Sequence, residues 1–148
     1  MNEVINTIMH RRAIRRFSRK QIDEAVLQDI LTAGLYAPSA GGRQGVILAV
    51  CQDSVITMFA PKDFLFSVDD CAVAAENMML AADSYGVGSC YIGQGWTAFE
   101  APYGQEILKQ WNIRTDYYAV MQLLLGYPKE GDTHPSPKPR KNDRIIRI

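Results

Sequence analysis

The chain has 148 residues, 47% of them hydrophobic, with 16 basic and 16 acidic side chains, which is enough apolar surface for one domain with its own core. No run of about 18 apolar residues occurs, and the N-terminus lacks an apolar stretch followed by a small-residue cleavage site, so neither a membrane span nor a signal peptide is expected and a cytoplasmic location is. Cys51, Cys71 and Cys90 are widely spaced, each in or beside an apolar stretch. They read as reduced core thiols. With only His10 and His134 and no CxxC or HxxxH spacing, no metal site is expected.

In chain order, Val4 to Arg11 reads as a short helix with Val4, Ile5 and Ile8 on one face. Asp23 opens a second, in which Val26, Leu27, Ile30, Leu31 and Leu35 recur at three-and-four spacing until Pro38 ends it. Val46 to Cys51 is a continuous apolar run of strand length, suited to a central strand covered on both faces. Asp53 to Ser67, with Pro61 in its middle, reads as a short helical or irregular connection. Asp69 to Tyr85 is apolar nearly all round, so this helix belongs in a core or a subunit interface, and Gly86 closes it.

Val87 to Gly93 then reads as an extended segment, Tyr103 to Trp111 as an amphipathic helix with Ile107, Leu108 and Trp111 on one side, and Tyr117 to Leu125 as the last core strand. Residues 1–148 form one domain in this reading, with residues 129–148 as an extended tail too rich in proline and charge to make its own core.

Net charge is zero, yet the basic residues are concentrated. Arg11, Arg12, Arg15, Arg16, Arg19 and Lys20 form one cluster, and Lys138, Arg140, Lys141, Arg144 and Arg147 form another. Such asymmetry calls for an anionic partner or acidic faces elsewhere. Together the clusters could grip one phosphate, because guanidinium groups are permanently charged and bind two oxygens at once. Between them, Ala37-Pro38-Ser39-Ala40-Gly41-Gly42-Arg43-Gln44 follows a helix with small residues, so a planar ligand could lie close to backbone there. Each feature also has a plain structural reading: a solvated basic turn, an ordinary Pro-Ser-Gly-Gly loop, an exposed basic tail. Nucleic acid is disfavoured as the anionic partner, since Phe17 is the one aromatic interleaved with either cluster.

In order, RRxIRxF, APSAGxxQ, D-x-x-x-A-A-x-N-M-M-L-A-A, GxGSCYIG, LLLGYP and KPRK resemble the FMN-dependent nitroreductase family over almost the whole chain. That resemblance implies an α+β fold, a three-layer α/β/α sandwich with a mainly antiparallel central sheet, built as an intertwined homodimer with two FMN sites between the subunits. It also implies that Arg11, Arg12 and Arg15 hold the FMN phosphate and ribityl chain, with Ala13 standing where many members have a serine. Pro38, Ser39, Ala40, Gly41 and Gln44 match the loop along the flavin ring. Tyr91, Ile92 and Gly93 match the segment over the ring's other face, and Lys138 and Arg140 the basic pair completing the phosphate site.

The implied activity is a ping-pong exchange in which NAD(P)H reduces FMN and a nitroaromatic, quinone or similar small acceptor takes the electrons. The cofactor carries the chemistry, so no catalytic side chain is expected. Fuller members are expected to carry a longer helical insertion where this chain has only Gln52 to Val68, leaving Phe59, Phe64 and Phe66 as aromatics for a reduced lid, with at least two of them more suited to buried packing. A non-catalytic FMN carrier or sensor with an open site is the alternative this shortening suggests.

Overall fold

A computed structural model of the chain describes residues 1–52, 55–132, 136–141 and 144–148. Its elements are α1 (Glu3–His10), α2 (Glu24–Leu35), β1 (Ile47–Cys51), β2 (Val55–Pro61), α3 (Ser67–Ser84), β3 (Gly88–Ile92), α4 (Pro102–Gln110) and β4 (Tyr117–Gly126), with short 3₁₀ turns at Ala40–Gly42 and Gly95–Phe99. The four strands form one antiparallel sheet in the order β1-β2-β4-β3. Helices α2 and α3 cover one face; α4 and the turn before it cover the other. This is the expected α+β, three-layer α/β/α arrangement.

Two cores result from strand alternation. Ile56, Met58 and Ala60 of β2, with Met121, Leu123 and Leu125 of β4, point towards α2 and α3 and are fully buried against Ile30, Ala75 and Met78. Phe59 points the other way and meets Phe99 edge-on at a centroid distance of 5.5 Å. The pairing of β2 with β4 shifts register between Met58 and Phe59, opposite Met121 and Ala119. Val120 is therefore an extra residue in β4, which puts it on the same side as Met121 while Ala119 joins Phe59.

Three sequence expectations are corrected. The stretch 53–67 is not a helical or irregular connection: Val55–Pro61 is a central strand, and Asp53 and Ser54 lie outside the described residues. Its run Val55-Ile56-Thr57-Met58-Phe59-Ala60 is of β-forming character, and Pro61 comes at the strand's last position, where a missing N–H costs little. The run ending at Cys51 is an edge strand, half-buried, with Val50 40% exposed. Within the single chain, helix α3 buries one face, through Asp70, Cys71, Ala74, Ala75, Met78, Met79 and Ala82, and leaves Val68 and Val73 exposed, the face that the subunit-interface alternative would cover. Finally, Leu35 lies off the buried face of α2 and is exposed.

Gly86 does end α3, at φ +69°, with Val87 N–H bonded to Ala82 C=O and Gly86 N–H to Asp83 C=O. That pair of bonds satisfies the last carbonyls of the helix. At the other end of α3, Cys71 is fully buried. Burial first, and the neighbouring Asp70 carboxylate second, push its thiol from an ordinary value of 9.0 up to about 12. A thiol held protonated in the fold stabilises it fully below pH 9, and that contribution is lost as pH rises from 9 towards 12. Cys71 is accordingly expected to resist iodoacetamide at pH 8 in the native protein and to react once the protein is unfolded in guanidinium. Mass spectrometry of alkylated native and unfolded samples checks this, and prompt native labelling of Cys71 would contradict the burial.

Candidate functional site

The arginine segment after α1 runs over the edge of the sheet where β3 begins. Ala13 bridges Ser89 in parallel, Ile14 N–H donates to Ser89 C=O at 2.9 Å, and Ile14 occupies the space a side chain at Gly88 would need. Beyond it, Phe17 bridges Pro128, and Lys129 N–H bonds Arg16 C=O. Arg16 is ion-paired with Asp132 at 2.7 Å, whereas Arg11, Arg12 and Arg15 make no ion pair among the described residues. Arg12 folds back to donate to Arg11 C=O, and its Nε is buried without a partner there. Uncompensated guanidinium groups beside one another repel, so the segment is suited to an anion that neutralises them.

The tail approaches the same place. Ser136 and Pro137 border a cavity of about 520 Å³ together with Asn6, His10 and Arg12. Lys138 and Arg140 are exposed, and Arg140 donates to Lys138 C=O at 3.0 Å.

Tyr91 and Ile92 stand two and three residues beyond Ser89 on the same edge strand, with Gly93 next, so at about 3.3 Å per residue they are roughly 7–13 Å from the arginine bridge. Tyr91, Gly93, Val68, Trp96 and Tyr118 line a cavity of about 390 Å³. The Tyr91 ring lies over Gly93, where an added Cβ would sit 3.3 Å from it. Burial, then the nearby Cys71 thiol, push the Tyr91 and Tyr118 hydroxyls up from their ordinary range. Both therefore remain neutral donors at ordinary pH.

The Pro38–Gln44 loop is elsewhere, at the β1 edge and against the first turns of α3. Ala40 N–H donates to Asp70 Oδ1 at 2.9 Å, and Gln44 N–H to Ser39 Oγ at 3.0 Å. Gly41, Gly42 and Gln44 all have positive φ (+63°, +65° and +49°). For Gln44 that conformation costs on the order of 1 kcal/mol, offset by the bond to Ser39. At Gly42 an added Cβ would meet nothing within 4 Å, so the loop presents open backbone. The N–H groups of Ser39 and Gly41 are not engaged among the described residues, while those of Ala40, Gly42, Arg43 and Gln44 are. Arg43 lies over the Phe64 ring at 4.3 Å, and Phe64 meets Phe66 at 5.8 Å. Phe64 is half-buried and Phe66 exposed, so of the three expected aromatics only Phe59 is buried, and it lies in the core under α4 rather than in any lid.

One chain thus joins Arg11–Arg15, the tail approach and Tyr91–Gly93 along one edge, and holds Pro38–Gln44 apart. The loop bonds Asp70, whereas His10, next to the arginines, bonds Asp83 at 3.1 Å. Thirteen helical residues separate those anchors by about 20 Å. Across the sheet, three strand spacings of about 4.8 Å separate the edge carrying the loop from the edge carrying Tyr91. Asp70 is not among the expected site residues; the acid pair Asp69-Asp70 in the first turns of α3 is the sequence signal that could have found it. Among the described residues no three His, Cys, Asp or Glu side chains gather as metal ligands, and no helix is long and apolar enough to cross a membrane.

The sequence model described as the nitroreductase family matches residues 8–61 and 54–127, which is most of the chain. The chain belongs to the nitroreductase family. A relative in Archaeoglobus fulgidus, named provisionally as an NADH dehydrogenase/NAD(P)H nitroreductase, is 29% identical, the match covering 99% of this chain and 98% of that one. A Vibrio harveyi NADPH-flavin oxidoreductase is 28% identical over 99% of this chain and 73% of its own length. Among solved structures, a Bacteroides fragilis nitroreductase with bound FMN superposes over 100% of both chains with a TM-score of 0.89 at 26% identity. A Desulfitobacterium hafniense nitroreductase, covered over 99% of its length at 21% identity and a TM-score of 0.87, shares the fold of this nitroreductase-family chain.

Proposed function

We propose that this nitroreductase-family chain is an NAD(P)H-dependent flavin oxidoreductase that works as a cytoplasmic homodimer, each chain being a single domain with residues 129–148 as its extended tail. The observation that carries the reading is the edge of β3. Arg11, Arg12 and Arg15, without an ion pair among the described residues, stand at one end, and Tyr91–Gly93 at the other. That suits a ligand with a phosphate at one end and a flat ring at the other, as FMN has.

The residues fit that group in three respects. Arg11, Arg12 and Arg15, with Lys138 and Arg140 from the tail, would hold the phosphate, and the buried Arg12 Nε has no other partner among the described residues. Ser39 and Gly41 have N–H donors not engaged among the described residues, which suit the ring's polar edge. The bare backbone at Gly42 leaves room for a plane to approach. When bound, FMN supplies two-electron exchange, accepting hydride from NAD(P)H and delivering electrons to a nitroaromatic, quinone or similar acceptor in ping-pong order. The chain's own part is to fix the ring between backbone surfaces and to keep the neutral Tyr91 and Tyr118 hydroxyls as donors beside it.

Because Pro38–Gln44 lies about 20 Å from the arginines along α3, a complete site takes the loop from a second copy. An apolar face of α1, with Val4 62%, Ile8 47% and Met9 58% exposed, is available to join two copies, and so are Ile145, Ile146 and Ile148 of the tail. The carrier alternative starts from the short stretch 52–68, of which 55–61 is the central strand β2, so only 62–66 are left to cover a site, and turnover is what separates the two readings.

The test is the visible spectrum of the purified protein after incubation with FMN, followed anaerobically as NADPH and then NADH are added. A bound-flavin spectrum that bleaches is the expected result. Bound flavin that stays oxidised would replace the enzyme by a carrier, and failure to retain FMN would overturn the reading.

A further inference from the structure

The carboxylate of Asp70 is 7% exposed, in the first turns of α3. It makes no ion pair among the described residues. Its compensation comes from the amino end of its own helix, whose dipole favours negative charge, and from Ala40 N–H, thirty residues away, at 2.9 Å. It also borders, with Pro38, Ser39 and Gln44, a cavity of about 180 Å³.

Ala40 opens the 3₁₀ turn that runs through Gly41 and Gly42 into Gln44, three residues in the left-handed region within four positions. Such a stretch has many alternative conformations when unbound. Two bonds bracket it: Asp70 at Ala40 and the Ser39 hydroxyl at Gln44. The second is made within the loop and moves with it. Of the two bonds, the first ties the loop to α3; besides it, Arg43 reaches out of the loop over the Phe64 ring at 4.3 Å. The Asp70 bond also engages the N–H between those of Ser39 and Gly41, so those two donors are the ones left for a ligand.

We propose that Asp70 is the positioning residue of the loop, holding Ser39–Gln44 in its ligand-ready form before the cofactor arrives. The inference rests on the flavin reading above and adds a residue to it. A buried acceptor that removes one loop donor and orders its neighbours lowers the ordering cost of binding; without it, the loop must be ordered by the ligand.

The test uses the full chain, as purified and as apoprotein, in three variants: Asp70→Ala, Asp70→Asn and Ile56→Val, the last a core truncation in β2. FMN affinity is read by quenching of flavin fluorescence, and stability by thermal melting of the apoproteins. Asp70→Ala is expected to weaken FMN binding by about tenfold or more, as loss of a charge-assisted bond does. Asp70→Asn, which keeps an acceptor oxygen, should stay within about threefold of the parent. Ile56→Val should lower the melting temperature without changing affinity. A parent that binds FMN while Asp70→Ala binds it equally well, or a loss of affinity matched by Ile56→Val, overturns this assignment alone. A parent that binds no FMN overturns the flavin reading with it.

Discussion

Replacing Arg11 and Arg15 together by alanine is expected to weaken FMN binding about 100-fold while leaving the fold intact. Each charge-assisted hydrogen bond to a phosphate is worth roughly 1.5–3 kcal/mol. Arg15 is exposed and Arg11 half-buried, so solvent screening favours the lower end, and two such losses give about 3 kcal/mol, or about 100-fold. Neither residue pairs with a carboxylate among the described residues. The apoprotein should therefore melt close to the parent, as surface substitutions usually do. Arg16→Ala is the control. Arg16 belongs to the same basic cluster but is engaged by Asp132, and its loss should leave flavin affinity unchanged. Titration of the apoproteins with FMN decides it: flavin retained by the double variant would move the phosphate elsewhere, and an equal loss in Arg16→Ala would mean that only the cluster's general charge matters.

The second large effect is expected at Gly104, where α4 touches the 3₁₀ turn that precedes it. A Cβ there would lie 2.2 Å from Ala98 C=O oxygen and 2.5 Å from Phe99 Cα. Both are backbone atoms, so no rotamer change relieves the clash. Alanine gains about 1 kcal/mol over glycine in helix propensity, but overpacking costs about 1–3 kcal/mol or more, and a clash this close puts it at or above the upper end. Gly104→Ala should lose a net of about 2 kcal/mol, lowering Tm by about 4–8 °C in a chain of this size. Gly34 offers the contrast: its Cβ would meet Met78 Cγ at 2.8 Å, a side chain rather than backbone, so a rotamer change can relieve part of the clash even in the packed core. Melting Gly104→Ala and Gly34→Ala side by side should show the larger drop at Gly104, and parity between them would mean that α4 is free to shift.

What was legible in the sequence followed from local pattern. The helices at Glu3–His10, Glu24–Leu35, Ser67–Ser84 and Pro102–Gln110, the extended run at Gly88–Ile92 and the long strand at Tyr117–Gly126 all carry their own periodicity, and Gly86 announces where α3 stops. Strand order is not local. Nothing in Ile47 to Cys51 distinguishes an edge from a centre, because a half-covered apolar strand and a fully covered one use the same residues. Pro61 misled in a different way: a proline in the middle of an unassigned stretch reads as a break, whereas here it is the last residue of β2. The extra residue at Val120 was hidden for a third reason, since a bulge is a property of two paired strands.

For the candidate site, each motif was readable but not its neighbours. The arginines, the small-residue loop and Tyr91–Gly93 stood out by type. Their separation in one chain, and the reach of Asp70 to Ala40 across thirty residues, exist only once α3 is laid across the sheet.

That separation has a consequence for how the protein would behave at low abundance. If α3 keeps the loop and the arginines of a single chain apart, a lone subunit offers the cofactor two half-grips and no whole one. Occupancy then depends on the amount of protein as well as the amount of flavin, because a ligand seated in the joined state pulls that state's equilibrium towards itself by mass action. If two copies share the site as proposed, dilution would loosen the pairing and release the cofactor together. Added flavin would reverse both, so that FMN acts as a clasp between chains as well as the carrier of electrons.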